Sequence, residues 1–90
     1  MKKHYNITVS GRVQGVGFRY YTREKANEAG VKGFVRNKLD RSVYIEAEAD
    51  EHILDVFLDW CKIGPPSAIV QNVQHTESPL KEFESFEIKS

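Results

Sequence analysis

Apolar and polar residues alternate one by one in two parts of the chain, which is the pattern of β-strands with one buried face. Tyr5, Ile7 and Val9 form the first of these runs, and the second covers residues 43–49. Three further segments have the length and composition of strands, and they cover residues 32–37, 69–75 and 83–88. The pattern therefore predicts a protein built largely around a β-sheet.

Two other segments repeat their apolar residues at intervals of three or four, which predicts helices. The first runs from about Phe18 to Ala29, where Gly30 can end it as a C-cap. The second follows Asp50, a residue type suited to an N-cap, and stops at the Gly64-Pro65-Pro66 segment. We expect one face of this second helix to pack in the core through Ile53, Leu54, Phe57, Leu58 and Cys61.

The predicted elements follow the order β-α-β-β-α-β, with a short extra strand. This order is typical of an α+β fold, a ferredoxin-like split βαβ sandwich with two helices on one face of a mainly antiparallel sheet. The two strands of a β-α-β unit run parallel, so the strands that end near Val9 and at Asn37 should finish at the same edge. With one strand between them, their ends should lie about 10 Å apart.

The composition is that of a small folded protein. The chain has 90 residues, of which 40% are hydrophobic, and we expect residues 1–90 to form a single domain. The only cysteine, Cys61, excludes an internal disulfide and a cysteine-based zinc cluster. Because we find neither a signal-peptide core nor a bilayer-spanning apolar run, we expect a cytoplasmic protein with no membrane partner. We also expect a monomer.

The net charge of zero conceals a strong asymmetry along the chain. Residues 1–41 hold ten Lys or Arg against three acidic residues, and residues 42–90 hold three against ten. This distribution suits the attraction of a small anion, but ordinary solvated faces of a compact domain would have it too. His4, His52 and His75 lie in three separate elements without ligand spacing, so we predict no metal site.

The segment between the first strand and the first helix is rich in glycine. Gly11, Gly15 and Gly17 allow a sharp turn and a close approach of the backbone to a ligand. A turn that leads into a helix leaves amide N–H groups without partners, and the helix dipole favours an anion there. Arg19 adds a cation whose planar fork matches phosphate oxygens. The stretch from Gly11 to Arg19 therefore predicts an oxyanion cradle that has its own counter-charge.

Two stretches of the chain resemble the signatures of the acylphosphatase family. Residues 9–19 are similar to the first signature, and residues 33–37 are similar to the start of the second. The resemblance implies an acylphosphatase, which hydrolyses carboxyl–phosphate mixed anhydrides (acyl phosphates) and has inorganic phosphate as product and inhibitor. It also implies that Asn37 orients the attacking water and that no metal or other cofactor is needed. The residues that it implies for binding the phosphoryl group, through loop amides and one cation, are Gly15, Val16, Gly17, Phe18 and Arg19.

The second signature departs from the family pattern at one position. The family usually has glycine four residues after the asparagine, and this chain has Arg41 there. If the hairpin needs a left-handed residue at this point, arginine costs about 1 kcal/mol relative to glycine. We expect the turn geometry to be affected more than the chemistry, because Asn37 itself is kept.

Several other functions are weaker matches to the sequence. A cysteine phosphatase loop has its nucleophile six residues before the arginine, where this chain has Val13, and neither a Walker loop nor a dinucleotide fingerprint is present. An RNA-binding βαββαβ module and a catalytically weak domain that binds acyl or carbamoyl phosphates both stay open as alternatives. Glu46 and Glu48 beside Tyr44 should repel an RNA backbone, so we predict no nucleic-acid partner.

Overall fold

The computed structural model describes residues 1–90, which form five strands and two helices. Their order along the chain is β1 (Lys2–Arg12), α1 (Phe18–Ala29), β2 (Lys32–Asn37), β3 (Val43–Asp50), α2 (Glu51–Ile63), β4 (Ile69–Ser78) and β5 (Phe86–Lys89). The predicted α+β split βαβ sandwich is confirmed. Neither helix has the length and apolarity that crossing a membrane requires.

The strands form one sheet in the order β4-β1-β3-β2-β5. β3 pairs antiparallel with both β1 and β2, β4 pairs antiparallel with β1, and β5 pairs parallel with β2. Because β3 alone separates β1 from β2, these two strands are parallel to each other. The end of β1 and the end of β2 at Asn37 therefore lie at the same edge of the sheet, as the β-α-β order predicts.

The core lies between the two helices and one face of the sheet. Ile7 of β1 lies opposite Ile45 of β3, and all of their surface is buried. Helix α1 buries Phe18 and Ala26 and ends at Gly30, which adopts the expected left-handed C-cap conformation. Helix α2 buries four of the five side chains predicted for its core face, Leu54, Phe57, Leu58 and Cys61, while Ile53 is half-buried.

Three details of the predicted elements are wrong. Strand β1 extends beyond its alternating segment, β4 extends beyond residues 69–75, and β5 begins at Phe86 instead of residue 83. Residues 79–85, which we call the strap, cross the outer face of the sheet instead, because main-chain amides in the strap bond to the carboxylate of Glu48. Asp50 is the N-cap residue of α2 but makes no capping hydrogen bond with its side chain, which lies 3.5 Å from the N-terminal amine of Met1.

The two glutamates of β3 are also placed differently from what the sequence suggests. Glu46 and Glu48 are both buried, on the sheet face opposite the helices. Their carboxylates lie 3.0 and 2.7 Å from the two ring nitrogens of His4, and Glu46 also accepts a hydrogen bond from Nζ of Lys81 at 2.8 Å. Because both carboxylates are buried and paired, they do not support the expected repulsion of an RNA backbone, and the absence of a nucleic-acid partner stays a prediction.

Candidate functional site

The loop between β1 and α1 reverses the chain within five residues, 13–17. Val13 is buried and anchors the loop to the core. Gly15 and Gly17 have φ angles of 73° and 79°, a region that glycine occupies without the strain that a Cβ would cause. Gly17 is the N-cap residue of α1, and its carbonyl accepts a hydrogen bond from the amide of Tyr21 at 3.0 Å. The glycines thus allow the loop to lead directly into the first turn of the helix.

The main-chain amides of this loop are free to bind a ligand. Those from Gly15 to Arg19 donate no hydrogen bond to a protein acceptor. They lie at the N-terminus of α1, where the aligned peptide dipoles give a partial positive charge. Backbone donors in this position are suited to a small oxyanion.

Arg19 is the second residue of α1 and is half-buried. Its Nη1 lies 3.4 Å from the carbonyl oxygen of Lys89 at the end of β5. Its guanidinium forms no ion pair with any carboxylate. The charge of Arg19 is therefore not neutralised within the protein, and the residue itself belongs to the first turn of the helix that follows the free loop amides.

Asn37 is the last residue of β2 and pairs with Val43 of β3. Its neighbour Arg36 points to the opposite face, as expected, with its guanidinium 5.4 Å from the centre of the Tyr44 ring. The Oδ1 atom of Asn37 is the one buried side-chain polar atom in the protein that has no hydrogen-bond partner. Such an atom costs about 1–3 kcal/mol, so its presence in a native structure needs an explanation.

Gln14 connects the loop to the turn that follows Asn37. Its Nε2 donates to the carbonyl oxygen of Lys38 at 2.8 Å and to that of Ser42 at 2.9 Å. The sequence does not predict this link, because a single polar residue in a loop belongs to no hydrophobic period. Its position inside the resembling motif is the only signal that could have drawn attention to it.

Ser67 attaches the loop on its other side. Its Oγ donates to the carbonyl oxygen of Val16 at 2.7 Å. The two residues are 51 positions apart in the chain, so no local pattern predicts their contact. With Val13 in the core, the loop is thus held from three directions.

The turn between β2 and β3 adopts the geometry that the family pattern implies. Arg41 has a φ angle of 75°, which confirms that a left-handed residue is needed where the family usually has glycine. Asp40 stabilises the turn, because its carboxylate accepts hydrogen bonds from Oγ of Ser42 at 2.6 Å and from its amide at 3.0 Å. These bonds lower the pKa of Asp40 below its usual value.

Two other candidate chemistries can be compared with the structure. Cys61 lies fully buried on the core face of α2, and this burial raises the pKa of its thiol. A buried thiol that is held protonated is a core residue and not a nucleophile. No group of three or more His, Cys, Asp or Glu side chains is placed to hold a metal ion.

An α+β sandwich whose first helix begins at a loop of free amides, with an unpaired arginine in its first turn, is a fold suited to holding a small oxyanion. The family model described as Acylphosphatase matches residues 5–88 of the chain. The chain is 51% identical over 82 residues to an acylphosphatase of Archaeoglobus fulgidus, and the match covers 91% of this chain and 92% of that one. It is also 51% identical over 87 residues to an acylphosphatase of Thermotoga petrophila, which covers 97% of each chain.

Solved structures agree with the sequence comparisons. The crystal structure of acylphosphatase from Bacillus subtilis has a TM-score of 0.95 and 40% identity, with complete coverage of both chains. A structure of full-length HypF in its phosphate- and nucleotide-bound form has a TM-score of 0.89 and 31% identity. The match covers 100% of this chain and only 12% of that chain. The chain therefore belongs to the acylphosphatase family and is an enzyme of the hydrolase class.

Proposed function

We propose that this chain hydrolyses acyl phosphates to a carboxylate and inorganic phosphate, by direct attack of one water molecule on a phosphoryl group held in the glycine loop. The observation that carries the proposal is the side chain of Asn37. The residue is half-buried, its side-chain amide makes no hydrogen bond within the protein, and it lies at the sheet edge from which the phosphate-binding loop also leaves. An amide with unused hydrogen-bonding capacity at this edge is suited to orienting a water.

The phosphoryl group is bound by main-chain amides and one arginine. Gly15, Val16, Gly17 and Phe18 supply N–H donors that no protein acceptor occupies. Arg19 supplies a cation that no carboxylate neutralises, and charge-assisted hydrogen bonds to phosphate are about twice as strong as neutral ones. Inorganic phosphate has the same oxygens, so it should bind here as product and inhibitor.

The loop is held in place before the substrate binds. Gln14, Ser67 and the buried Val13 each fix it to a different part of the fold. Donors fixed in this way need no reorganisation as charge develops on the phosphoryl oxygens. Phosphoryl transfer proceeds through a loose transition state, so positioning and charge stabilisation supply most of the catalysis.

The chemical step requires little from the protein beyond this positioning. The oxygen of the water that Asn37 orients forms a bond to phosphorus while the bond from phosphorus to the acyl oxygen breaks. The electron pair of the broken bond leaves with the carboxylate, and the proton that the water loses passes to an oxygen of the phosphate itself. A carboxylate has a pKa of about 4–5, so it leaves without a general acid.

The proposal distinguishes anhydrides from esters. A phosphate ester expels an alkoxide or phenoxide, which is a poorer leaving group and needs an acid or a metal. We therefore expect fast hydrolysis of benzoyl phosphate and little or no hydrolysis of p-nitrophenyl phosphate. Equal rates on both compounds would contradict the proposal. Binding of inorganic phosphate without turnover of benzoyl phosphate would instead support a domain that only binds its ligand.

A further inference from the structure

We propose that Gln14 sets the distance between the phosphate-binding loop and Asn37, and so acts as a positioning residue for catalysis. This inference rests on the hydrolysis proposed above. Gln14 touches neither the phosphoryl group nor the water in this account. It acts through the turn that follows Asn37.

Gln14 makes a pair of hydrogen bonds that no other side chain duplicates. The two N–H groups of the Gln14 amide are donated to the carbonyl oxygens of Lys38 and Ser42, at 2.8 and 2.9 Å. No other hydrogen bond joins residues 13–19 to residues 37–42. The loop and the turn are therefore held together, apart from packing, by this one side chain.

The two acceptors close the same turn. The amide of Lys38 donates to the carbonyl of Ser42 at 2.9 Å, and this pair follows the last strand pair of β2 and β3 into the turn. Gln14 thus binds both residues of the pair that closes the turn. The Lys38 amide belongs to the planar peptide that joins Lys38 to Asn37. A displacement of the Ser42 carbonyl, which binds both this amide and Gln14, is therefore transmitted to the backbone that carries the Asn37 side chain.

The phosphate-binding loop itself has supports that do not depend on Gln14. Ser67 holds the carbonyl of Val16, and the amide of Tyr21 holds the carbonyl of Gly17. Removing the Gln14 amide should thus leave the cradle formed while loosening Asn37 relative to it. A misplacement of about 1 Å at a reacting centre can lower a rate about 100-fold.

The test uses Gln14→Met, which keeps the length of the side chain and removes its donors. We expect kcat for benzoyl phosphate to fall about 10- to 100-fold, while KM and the inhibition constant of inorganic phosphate change less than about 3-fold. The matched control is Gln74→Met, because Gln74 is exposed on the outer face of the sheet and makes no hydrogen bond with its side chain. The control should leave all three constants unchanged.

Gln14→Glu adds a second measurement, the pH dependence of kcat, which would not change if Gln14 had only a structural role. Its carboxylate faces two carbonyls when ionised and regains one donor when protonated. Its kcat, as a fraction of the wild-type value at the same pH, should therefore rise as the pH falls toward about 4, whereas that of Gln14→Met should stay constant. This variant also replaces Gln14→Met if the latter does not fold.

The outcomes separate the two proposals. If the wild type hydrolyses benzoyl phosphate and Gln14→Met has the same kcat, the positioning role is overturned and the proposed hydrolysis is not. Equal losses of kcat and of phosphate affinity would also overturn it, because Gln14 would then shape the cradle and not the position of Asn37. A wild-type protein that does not hydrolyse benzoyl phosphate overturns both.

Discussion

Nδ1 of His4 lies 2.7 Å from a carboxylate oxygen of Glu48, and both side chains are buried between the sheet and the strap. The two residues are directly opposite each other on β1 and β3. Glu48 also accepts hydrogen bonds from the main-chain amides of Lys81 and Phe83. One buried carboxylate thus fastens the strap, which leads into β5.

This arrangement predicts a loss of stability in acid. Burial by itself would raise the pKa of Glu48, but the hydrogen bonds from His4 and from two strap amides outweigh it and hold the pKa below the usual 4.5. A folded-state pKa below the unfolded one stabilises the fold above about pH 4.5, and this contribution disappears as the pH falls through the folded-state value. We expect urea unfolding to show a marked decrease in unfolding free energy below pH 4.5.

The variant Glu48→Gln isolates this contribution. It should cost about 1–3 kcal/mol at pH 7 and show a smaller further loss in acid than the wild type. Glu84→Gln is the control, because Glu84 is exposed and forms no ion pair. If the acid losses of Glu48→Gln and the wild type are the same, another group is responsible.

The turn between β2 and β3 offers a stabilising substitution. Arg41 has a φ angle of 75°, which costs an arginine more than a glycine. We expect Arg41→Gly to raise the free energy of unfolding by about 0.5–1 kcal/mol, measured by urea denaturation. Leu39→Gly in the same turn should lower it, because Leu39 is not among the residues with positive φ and glycine there only adds flexibility to the unfolded chain. A less stable Arg41→Gly would show that the arginine makes a compensating contact.

The sequence predicts the sheet and the first helix well because their signals are local. Alternation marks β1 and β3, and Gly30 marks the end of α1 as observed. Residues 83–85 have the composition of a strand, but strap amides bond to the carboxylate of Glu48, so β5 begins later than predicted. The pattern of polar residues on β3 suggests an open face, because nothing in it indicates that the strap covers Glu48.

The candidate site also combines local and distant features. The glycines, Arg19 and Asn37 are candidates because of their residue types and the shared sheet edge, and their roles stay predictions. The supports of the loop at Gln14 and Ser67 cannot, because each depends on a contact with a segment 24 or more positions away. That Oδ1 of Asn37 has no hydrogen-bond partner likewise cannot be predicted from the sequence, because it depends on how the surrounding residues pack.

Arg19 and Asn37 should have separable effects. We expect Arg19→Ala to weaken inhibition by inorganic phosphate about 10- to 100-fold, because it removes a charge-assisted contact. Asn37→Ala should leave this inhibition constant within about 3-fold and lower kcat for benzoyl phosphate about 100-fold or more. Arg12→Ala, which removes an exposed arginine just before the loop, is the control. Equal phosphate affinity in the wild type and Arg19→Ala would falsify the cradle.

Hydrolysis should not depend on a metal or on the thiol. The carboxylate leaving group needs no Lewis acid, and Cys61 is buried in the core. Activity on benzoyl phosphate should therefore be unchanged, within error, after dialysis against excess EDTA and after treatment with a thiol-blocking reagent under native conditions. Loss of activity in EDTA that returns on addition of a divalent cation would show a metal site that the account lacks.

The roles of the loop and of Asn37 both require that the water attacks the phosphorus atom. Hydrolysis of benzoyl phosphate in ¹⁸O-labelled water, followed by mass spectrometry of both products, tests this directly. An attack on the phosphorus held in the cradle places the label in the inorganic phosphate and leaves the benzoate unlabelled. Label in the benzoate would mean attack at the carbonyl carbon, and it would contradict the roles assigned to the loop and to Asn37.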